Sequence, residues 1–234
     1  MIRFSPPFRV AILAAVLSAP AHAVVLAGWT FETNTPPLTS GATSGPAVSA
    51  ETGTRPGTLG GVHSTAATWN TPFGNGSENS YAADTWTAGD YFQFSSSSTG
   101  HENVTVSLDQ IGANGSPRDF QFSYSIDGTN FVNFGATYQV ELNAPVNIAW
   151  DNEVATALTT YTFDLSGISA LDDAAAIYFR ISQVGTTSVN GTTVTASGFS
   201  RIDNVVINGT AIVPEPATAL LGIAGLLGFL RRRR

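Results

Sequence analysis

The sequence has no cysteine and no lysine, and only 12% of its 234 residues are charged. Without cysteine, the protein can form no disulfide scaffold, no thiolate nucleophile and no cysteine-ligated zinc or iron–sulfur site. Its 23 glycines follow no three-residue period, which excludes a collagen-like chain, and 43% hydrophobic residues is too many for a wholly disordered one. The length accommodates one domain of roughly 150 to 200 residues once terminal segments are set aside.

All positive charge comes from ten arginines, and six of them lie at the two ends of the chain. Residues 24–213 hold four arginines against sixteen Asp and Glu residues, a net charge of −12. Such a surface repels phosphate backbones, so we predict no nucleic-acid partner, whereas divalent cations and neutral, hydroxyl-rich ligands remain compatible. The simpler alternative is that the acidity only keeps an exported domain soluble.

The N-terminus has the three parts of a secretory signal peptide. Two arginines lie within residues 1–9, the apolar run VAILAAVLSA occupies 10–19, and Ala21 and Ala23 supply the small residues that a signal peptidase accepts. The apolar run is too short for a permanent membrane span. We therefore predict a signal peptide at 1–23, cleaved by signal peptidase after Ala23.

The C-terminus combines a short motif, a largely apolar stretch and a cluster of positive charge. These are Pro214, Glu215 and Pro216, then residues 217–230, then Arg231, Arg232, Arg233 and Arg234. As a helix the stretch spans about 21 Å, short of a hydrocarbon core of about 30 Å, so we predict a transient inner-membrane anchor. The arginines keep the tail cytoplasmic and the rest of the chain outside. The predicted organisation is a domain at 24–210, a linker at 211–216, and a transmembrane helix with its arginine tail at 217–234.

These C-terminal features resemble the PEP-CTERM sorting signal of Gram-negative bacteria. The resemblance covers about the last two dozen residues and rests on the Pro-Glu-Pro motif, the Leu, Gly and Ala-rich stretch and the terminal arginines. It implies recognition by an exosortase-type protease, removal of the tail, and transfer to the cell surface or extracellular matrix. It implies no chemistry for the rest of the chain. The alternative is an ordinary tail anchor that contains Pro-Glu-Pro by chance.

The region between the two ends has the pattern of β-strands. Large apolar residues alternate with polar ones at 120–126, and the turn residues at 127–130 lead into a returning segment at 131–134, which predicts a hairpin. The same alternation occurs in four other segments, at 91–94, 103–108, 161–165 and 176–181. We predict an all-β fold built from two packed antiparallel sheets. Residues 34–60 are expected to form a long loop with a short strand near Val48, and residues 169–174 one helical turn capped by Ser169.

The strand and turn patterns resemble a jelly-roll sandwich. The segments FQFSYSIDGTNF, TYTFDLSGISAL, AAIYFRI and SRIDNVVING are similar to the jelly-roll domains of many exported bacterial proteins with PEP-CTERM tails, and to galactose-binding-like domains and carbohydrate-binding modules. The resemblance would cover about residues 24–210. Because these segments are core and turn patterns, they indicate the fold much more than the function.

The jelly-roll resemblance also implies a structural calcium site. In that group an acidic residue after the first strand and another in the last strand often coordinate calcium, and the matching positions are Glu32 and Asp203. Calcium needs six to eight oxygen ligands, so backbone carbonyls and water would have to complete the shell. The alternatives are that Asp203 pairs with Arg201 or Arg180, or that it accepts hydrogen bonds in a turn.

Catalytic signatures are weak in this sequence. His63 and His101 belong to no nucleophile elbow, metalloprotease helix or paired-histidine spacing, and we predict that both are loop residues without a catalytic role. Two carboxylates that meet only in space could still form a glycosidase site. We therefore predict a protein that is not an enzyme and has no catalytic residues, with a secreted polysaccharide-active hydrolase as the alternative.

Aromatic residues are the better indication of a ligand. Trp69, Trp86 and Trp150 lie in or beside polar segments, where an exposed indole could stack on a sugar ring. The alternative is that these indoles fill the ends of the core, as we expect for Trp29 in the apolar first strand. The resulting hypothesis is a surface or matrix protein that associates with extracellular polysaccharide. A calcium-dependent carbohydrate-binding module is a further alternative.

Overall fold

The computed structural model describes residues 22–143 and 148–213, and these residues form an all-β domain of fourteen strands. Two short 3₁₀ turns, Ala157–Thr159 and Ser169–Leu171, connect some of them. Within this described part of the chain, no helix is long and apolar enough to cross a membrane. The strands are β1 (Ala23–Trp29), β2 (Thr39–Ser44), β3 (Val48–Ser49), β4 (Thr58–Asn70), β5 (Tyr81–Ala83), β6 (Tyr91–Ser96), β7 (His101–Gly112), β8 (Asp119–Ser125), β9 (Val132–Asn133), β10 (Tyr138–Gln139), β11 (Glu141–Leu142), β12 (Thr160–Asp164), β13 (Ile177–Gln183) and β14 (Ser200–Ala211).

The long strand β4 connects the two layers of the sandwich. Residues 58–62 of β4 pair with β6, whereas Trp69 and Asn70 pair with β5. Hydrogen bonds consequently link the strands in the order β10-β8-β13-β6-β4-β5-β14-β7-β11. The first layer contains β8, β13, β6 and the start of β4, and the second contains β5, β14 and β7 with β1 and β12 beside them. The pairs are antiparallel except for β11, which runs parallel to β7.

Aromatic side chains from both layers make the core. Phe122 of β8 stacks on Phe163 of β12 with ring centroids 3.9 Å apart, and Trp29 of β1 packs on Phe94 of β6 at 6.3 Å. Each pair joins one layer to the other, so these contacts hold the sandwich together. Aromatic rings bury the most apolar surface per residue, which lets a small core stabilise a domain with no disulfide.

The structure confirms the predicted sandwich and its best-defined strands. The predicted hairpin is β8 and β9, and Asp127 closes its turn by accepting hydrogen bonds from the backbone N–H groups of Thr129 and Asn130. Gly128 in this turn has a φ of 73°, which a residue with a side chain rarely adopts. The first and last strands, β1 and β14, lie side by side.

Several local predictions need correction. Residues 34–60 hold β2, β3 and the start of β4, because the edge of β4 offers hydrogen bonds to both short strands. Ser169 begins a 3₁₀ turn but does not cap it, since Ile168 occupies the cap position and makes no side-chain bond. Strand β14 extends to Ala211, and the backbone N–H of Ile212 still bonds to Gly100, so the domain reaches past the predicted start of the linker.

The two sorting segments lie largely outside the described residues. Residues 1–21, which hold most of the predicted signal peptide including Ala21, and residues 214–234, which hold the Pro-Glu-Pro motif, the predicted transmembrane helix and the arginines, are not described. Ala23 is the first residue of β1, where it pairs with Thr210. Cleavage after Ala23 stays a prediction.

One carboxylate fixes the connection after β1. Glu51 accepts hydrogen bonds from the backbone N–H groups of Thr30, Thr33 and Asn34 and from the hydroxyls of both threonines. Burial by itself would raise the pKa of the Glu51 carboxyl, but the bonds from Asn34, Thr30 and Thr33 outweigh it and lower the pKa from 4.5 to about 2. The ionised form is thus the one that holds this segment.

Glu51 makes stability depend on pH in the acid range. A carboxyl with a lowered pKa stabilises the folded state fully above its ordinary pKa of 4.5, and this contribution is lost as the pH falls toward 2. We expect the urea midpoint of the wild type to fall over this window, and Glu51→Gln to have a lower midpoint at pH 6 and a flatter profile. The control is Glu153→Gln, at an exposed position, which should follow the wild type. Parallel pH profiles for Glu51→Gln and the wild type would contradict the assignment.

Candidate functional site

The face of the first layer that points away from the core is a grid of mostly polar side chains, of which the β8 members Gln121, Ser123 and Ser125 are buried. Because Phe92 and Phe94 of β6 and Phe179 of β13 point into the core, their neighbours along each strand point outward. The strand register places these outward residues in three rows across β4, β6, β13 and β8. The rows are Thr58, Ser95, Tyr178 and Ser125; Gly60, Gln93, Arg180 and Ser123; and Val62, Tyr91, Ser182 and Gln121.

A cavity of about 250 Å³ lies at the β4 side of this grid, and we call it the β4–β6 cavity. Its floor is formed around Gly60 and Gly61, one wall by the segment between β2 and β3, and the other by Tyr91 and Gln93. A side-chain carbon added at Gly60 would meet nothing closer than 3.7 Å, so the absence of a side chain there leaves the space open. The complete lining, which contains no Asp, Glu or His, is Ser44, Gly45, Ala47, Thr58, Leu59, Gly60, Gly61, Val62, Tyr91, Gln93 and Ser95.

Arg180 lies next to the cavity in the middle row and is held on three sides. Its guanidinium carbon is 3.9 Å from the centre of the Tyr91 ring and 3.8 Å from that of Phe131. Its Nε donates to the side-chain oxygen of Gln93 at 2.7 Å. Stacking between two rings and one directed hydrogen bond restrict the side chain to a single orientation.

The tryptophans predicted as sugar platforms are buried, so that prediction is wrong in its central requirement of an exposed indole. Trp69 is fully buried, and Trp86 and Trp150 are each 5% exposed. Each indole N–H is satisfied inside the protein, by the carbonyl of Ala42 for Trp69, that of Ala83 for Trp86 and the hydroxyl of Thr159 for Trp150. The alternative expectation, that tryptophans fill the core as Trp29 does, holds for Trp69 and Trp86, whereas Trp150 is buried outside the main core cluster.

His63 and His101 are not loop residues. His63 lies within β4, where its ring packs between those of Trp69 and Trp86 at centroid distances of 4.6 and 4.3 Å. Burial lowers the pKa of His63 below 6.5, although the nearby Asp90 and Asp84 act in the opposite direction. His101 begins β7. Neither histidine lines the β4–β6 cavity.

The predicted calcium ligands Glu32 and Asp203 hold the same loop. Glu32 accepts a hydrogen bond from the backbone N–H of Asn79 at 2.8 Å. Asp203 accepts one from the hydroxyl of Ser77 at 2.7 Å and one from the backbone N–H of Asn75 at 2.8 Å. The alternative in which Asp203 pairs with an arginine is wrong, because its partners are hydroxyl, amide and backbone groups.

A second carboxylate, Asp109, lies opposite Asp203 in the pairing of β7 with β14. The side-chain amides of Asn75 and Asn204 both donate to Asp109 at 2.9 Å, and Thr160 adds its hydroxyl. Burial, together with the charge of Asp109, raises the pKa of Asp203 from 3.8 to about 6, despite the opposing hydrogen bonds. This buried polar cluster joins the loops that follow β4 and precede β12 to the second layer.

The chemistry of these ligands is compatible with calcium but does not require it. The carboxylates of Glu32 and Asp203, the hydroxyl of Ser77 and the carbonyl of Asn79 are all oxygen ligands of the kind that calcium prefers. The hydrogen bonds to Asp203 already satisfy its oxygens, however. Among the described residues, no group of three or more His, Cys, Asp or Glu side chains lies close enough to hold a metal. Calcium binding through Glu32 and Asp203 stays a prediction.

Thermal unfolding tests the calcium prediction. If the ion binds only the folded protein, saturating calcium should raise the melting temperature above that in chelator by roughly 5 °C or more, and Asp203→Asn should remove the difference. Asp164→Asn, an exposed carboxylate of β12, is the control and should keep it. Equal melting temperatures of the wild type in calcium and in chelator would leave Asp203 as a hydrogen-bonded residue only.

The residues around the β4–β6 cavity were missed as site candidates. Tyr91, Gln93 and Arg180 all belong to strands that the alternation identified, at positions between buried residues. Alternation alone predicts that such residues point outward, but it does not reveal which strands are neighbours. The strand pairing of β6 with β13 is what brings Gln93 next to Arg180.

Comparison with known protein families identifies a sorting motif at the C-terminus. Residues 213–234 match the family model described as the PEP-CTERM protein-sorting motif. That motif indicates an exported protein, transiently anchored in a membrane and processed by an exosortase. No characterised protein sequence matches the chain closely enough to count as a relative.

Structural comparison finds β-sandwich domains of the carbohydrate-binding-module type. The tandem CBM22 domains of Xyn10C from Paenibacillus barcinonensis match at a TM-score of 0.44 and 14% identity, over 86% of this chain and 49% of theirs. The chain thus spans about half the length of that structure. Carbohydrate-binding modules of promiscuous specificity from the β-sandwich superfamily match at a TM-score of 0.36 and 12% identity, over 76% of this chain and 60% of theirs. The xyloglucanase domain of NopAA from Sinorhizobium fredii matches at 0.30 and 11% identity, over 61% and 93%. By its own strand pairing the chain is an all-β sandwich domain, and it is joined to a PEP-CTERM sorting motif.

Proposed function

We propose that this protein is an exported, non-enzymatic polysaccharide-binding protein whose ligand site is the β4–β6 cavity. The observation that carries the proposal is the combination of one aromatic ring, one side-chain amide and three hydroxyls around an open floor of glycine. Tyr91 supplies the ring, Gln93 the amide, and Ser44, Thr58 and Ser95 the hydroxyls.

Sugars need this mixture of groups. A pyranose has apolar C–H faces that pack on aromatic rings and hydroxyls that both donate and accept hydrogen bonds. The cavity of about 250 Å³ is somewhat smaller than the roughly 300 Å³ at which sites for drug-sized molecules begin. It therefore suits one unit of a polymer better than a free ligand that must be enclosed, and a polymer could continue along the partly exposed residues of β6 and β13.

The sorting motif supports binding outside the cell, since it directs the protein to export and tail removal. After tail removal by an exosortase, a protein without a membrane anchor would be lost from the cell unless something retained it. Weak contacts with extracellular polysaccharide would keep it at the cell surface or in the matrix of a Gram-negative bacterium, and many copies on one polymer would add avidity.

The rival function, a polysaccharide hydrolase, has less support. Hydrolysis would require two carboxyl groups across the bound sugar, roughly 5 to 10 Å apart. The lining of the β4–β6 cavity has none, and the carboxylates of Asp109 and Asp203 are buried among hydrogen-bond donors. A calcium-dependent binding module stays open, because calcium at Glu32 and Asp203 could stabilise the domain without contacting the sugar.

Filling the cavity tests the binding site. In Gly60→Val the new side chain would occupy the floor, and its first carbon would lie 3.7 Å from the backbone oxygen of Gly45, an ordinary contact distance. A β-branched residue also suits a strand. We expect the full-length wild type to bind at least one polysaccharide on a glycan array and Gly60→Val to lose about tenfold or more in affinity, roughly 1.4 kcal/mol.

The matched control is Ser64→Val, an exposed position further along β4 that does not line the cavity. It should bind like the wild type, and melting temperatures should show that both variants fold. Failure of the wild type to bind any polysaccharide, or wild-type binding by Gly60→Val, would contradict the proposed function.

Replacing the sorting motif tests the processing step. With Pro214, Glu215 and Pro216 changed to alanine, the exosortase should no longer recognise the tail, and the protein should stay in the membrane fraction of the producing cells. Fractionation and blotting would measure this against a variant with alanines at 152–154, three exposed residues outside the motif. Release of the motif variant at the wild-type level would contradict processing at this site.

A further inference from the structure

We propose that Arg180 is a receptor for a carboxylate, so that the polysaccharide bound at the β4–β6 cavity carries uronic acids. The inference rests on the proposed function, and it specifies the class of glycan. It begins from an imbalance of charge. The domain between residues 24 and 213 has sixteen acidic residues and four arginines, yet the twelve outward positions of the grid contain no carboxylate and one cation, Arg180.

Arg180 has no anionic partner in the described part of the chain. No carboxylate of these residues lies within 4 Å of its guanidinium, whereas Arg118 pairs with Asp119 at 3.0 Å. Its only hydrogen bond to a described residue is the one from Nε to Gln93. The two terminal Nη groups are therefore available, and they lie on the edge that a carboxylate meets with two parallel hydrogen bonds.

The surroundings of Arg180 favour a carboxylate over a diffuse attraction to negative charge. The rings of Tyr91 and Phe131 both lie within 4 Å of the guanidinium carbon, so a ligand meets this group most readily at its terminal nitrogens. A planar carboxylate can bond to both of these nitrogens at once. Because Arg180 is already fixed by stacking, little side-chain freedom is lost when the ligand binds.

The position of Arg180 connects it to the sugar site. Gln93 lines the cavity and also bonds to Arg180, and the two residues face each other across β6 and β13. Tyr91 likewise contacts both the cavity and the guanidinium. A sugar bound in the cavity would thus lie beside the two residues that contact Arg180.

The acidic remainder of the domain does not cancel this attraction. At physiological salt the screening length is about 8 Å, so acidic groups beyond that distance act weakly on a bound carboxylate. A contact with a fixed guanidinium is short and partly protected from water, and charge-assisted hydrogen bonds of this kind change affinity by about tenfold to a hundredfold.

Matched polymers test the inference. The purified full-length chain would be titrated calorimetrically with polygalacturonate, polyglucuronate and alginate, and with each polymer after chemical reduction of its carboxyl groups to hydroxymethyl groups. Dextran sulfate would measure attraction to charge alone. We expect the wild type to bind at least one uronate polymer about tenfold or more tightly than its reduced form and than dextran sulfate.

Variants assign the preference to one residue. In Arg180→Gln the ratio of the affinity for the uronate polymer to that for its reduced form should fall to about one. Arg180→Lys should restore part of this ratio, since a lysine keeps the charge but loses the two-point contact. Arg118→Gln, which removes an arginine outside the grid, should keep the wild-type ratio.

The outcomes separate this inference from the proposed function. Equal or tighter binding of the reduced polymers or of dextran sulfate, or an unchanged ratio in Arg180→Gln, would overturn the carboxylate receptor and leave polysaccharide binding intact. Binding of none of these polymers or of any other glycan would instead overturn the proposed function, and the inference with it.

Discussion

The packing of aromatic rings between the two layers is the constraint on which the rest of the structure depends. With no cysteine to link the chain, the contacts of Phe122 with Phe163 and of Trp29 with Phe94 must hold the layers together. Those contacts require every second residue of β6, β8 and β13 to point inward. The residues between them, including Tyr91, Gln93 and Arg180, are consequently fixed on the outer face in register.

The same constraint explains why the tryptophans are buried rather than exposed to a ligand. A two-layer sandwich is open at its ends, and large rings are needed there to keep water from the core. Trp69 and Trp86 enclose the buried His63, and Trp150 is covered beside the loops held by Asn75. Their N–H groups bond inward, so a polar flanking sequence is not enough to predict an exposed indole.

Much of the fold could be predicted from the sequence, because strand alternation and turn residues act over a few neighbours. The segment at 120–126, its Asp-Gly turn and the returning strand form a local unit, and the structure has them as β8 and β9. The pairing of strands is long-range, and no local pattern in the sequence indicates which strands pair. The adjacency of β6 and β13, which joins residues more than eighty positions apart, creates the face on which Gln93 meets Arg180. Gly60 carried no signal as a site residue, since its role depends on the segment that lies over it.

The buried cluster around Asp109 and Asp203 likewise could be predicted only in part from the sequence. The sequence singled out Glu32 and Asp203 through a resemblance, and the structure brings both to one loop, at Asn79 and at Asn75 with Ser77. It also adds Asp109, whose partnership with Asp203 depends on the pairing of β7 with β14. A carboxylate pair of this kind is visible only once the topology is known.

The proposed ligand site lies on the outer face of the first layer, and a crystal of the protein soaked with a short oligogalacturonate would test it. We expect a sugar ring in the β4–β6 cavity, in contact with Tyr91 and Gln93, and a carboxylate at the free edge of Arg180. Sugar density elsewhere, for example over the loops beside Trp150, with the β4–β6 cavity empty, would contradict it.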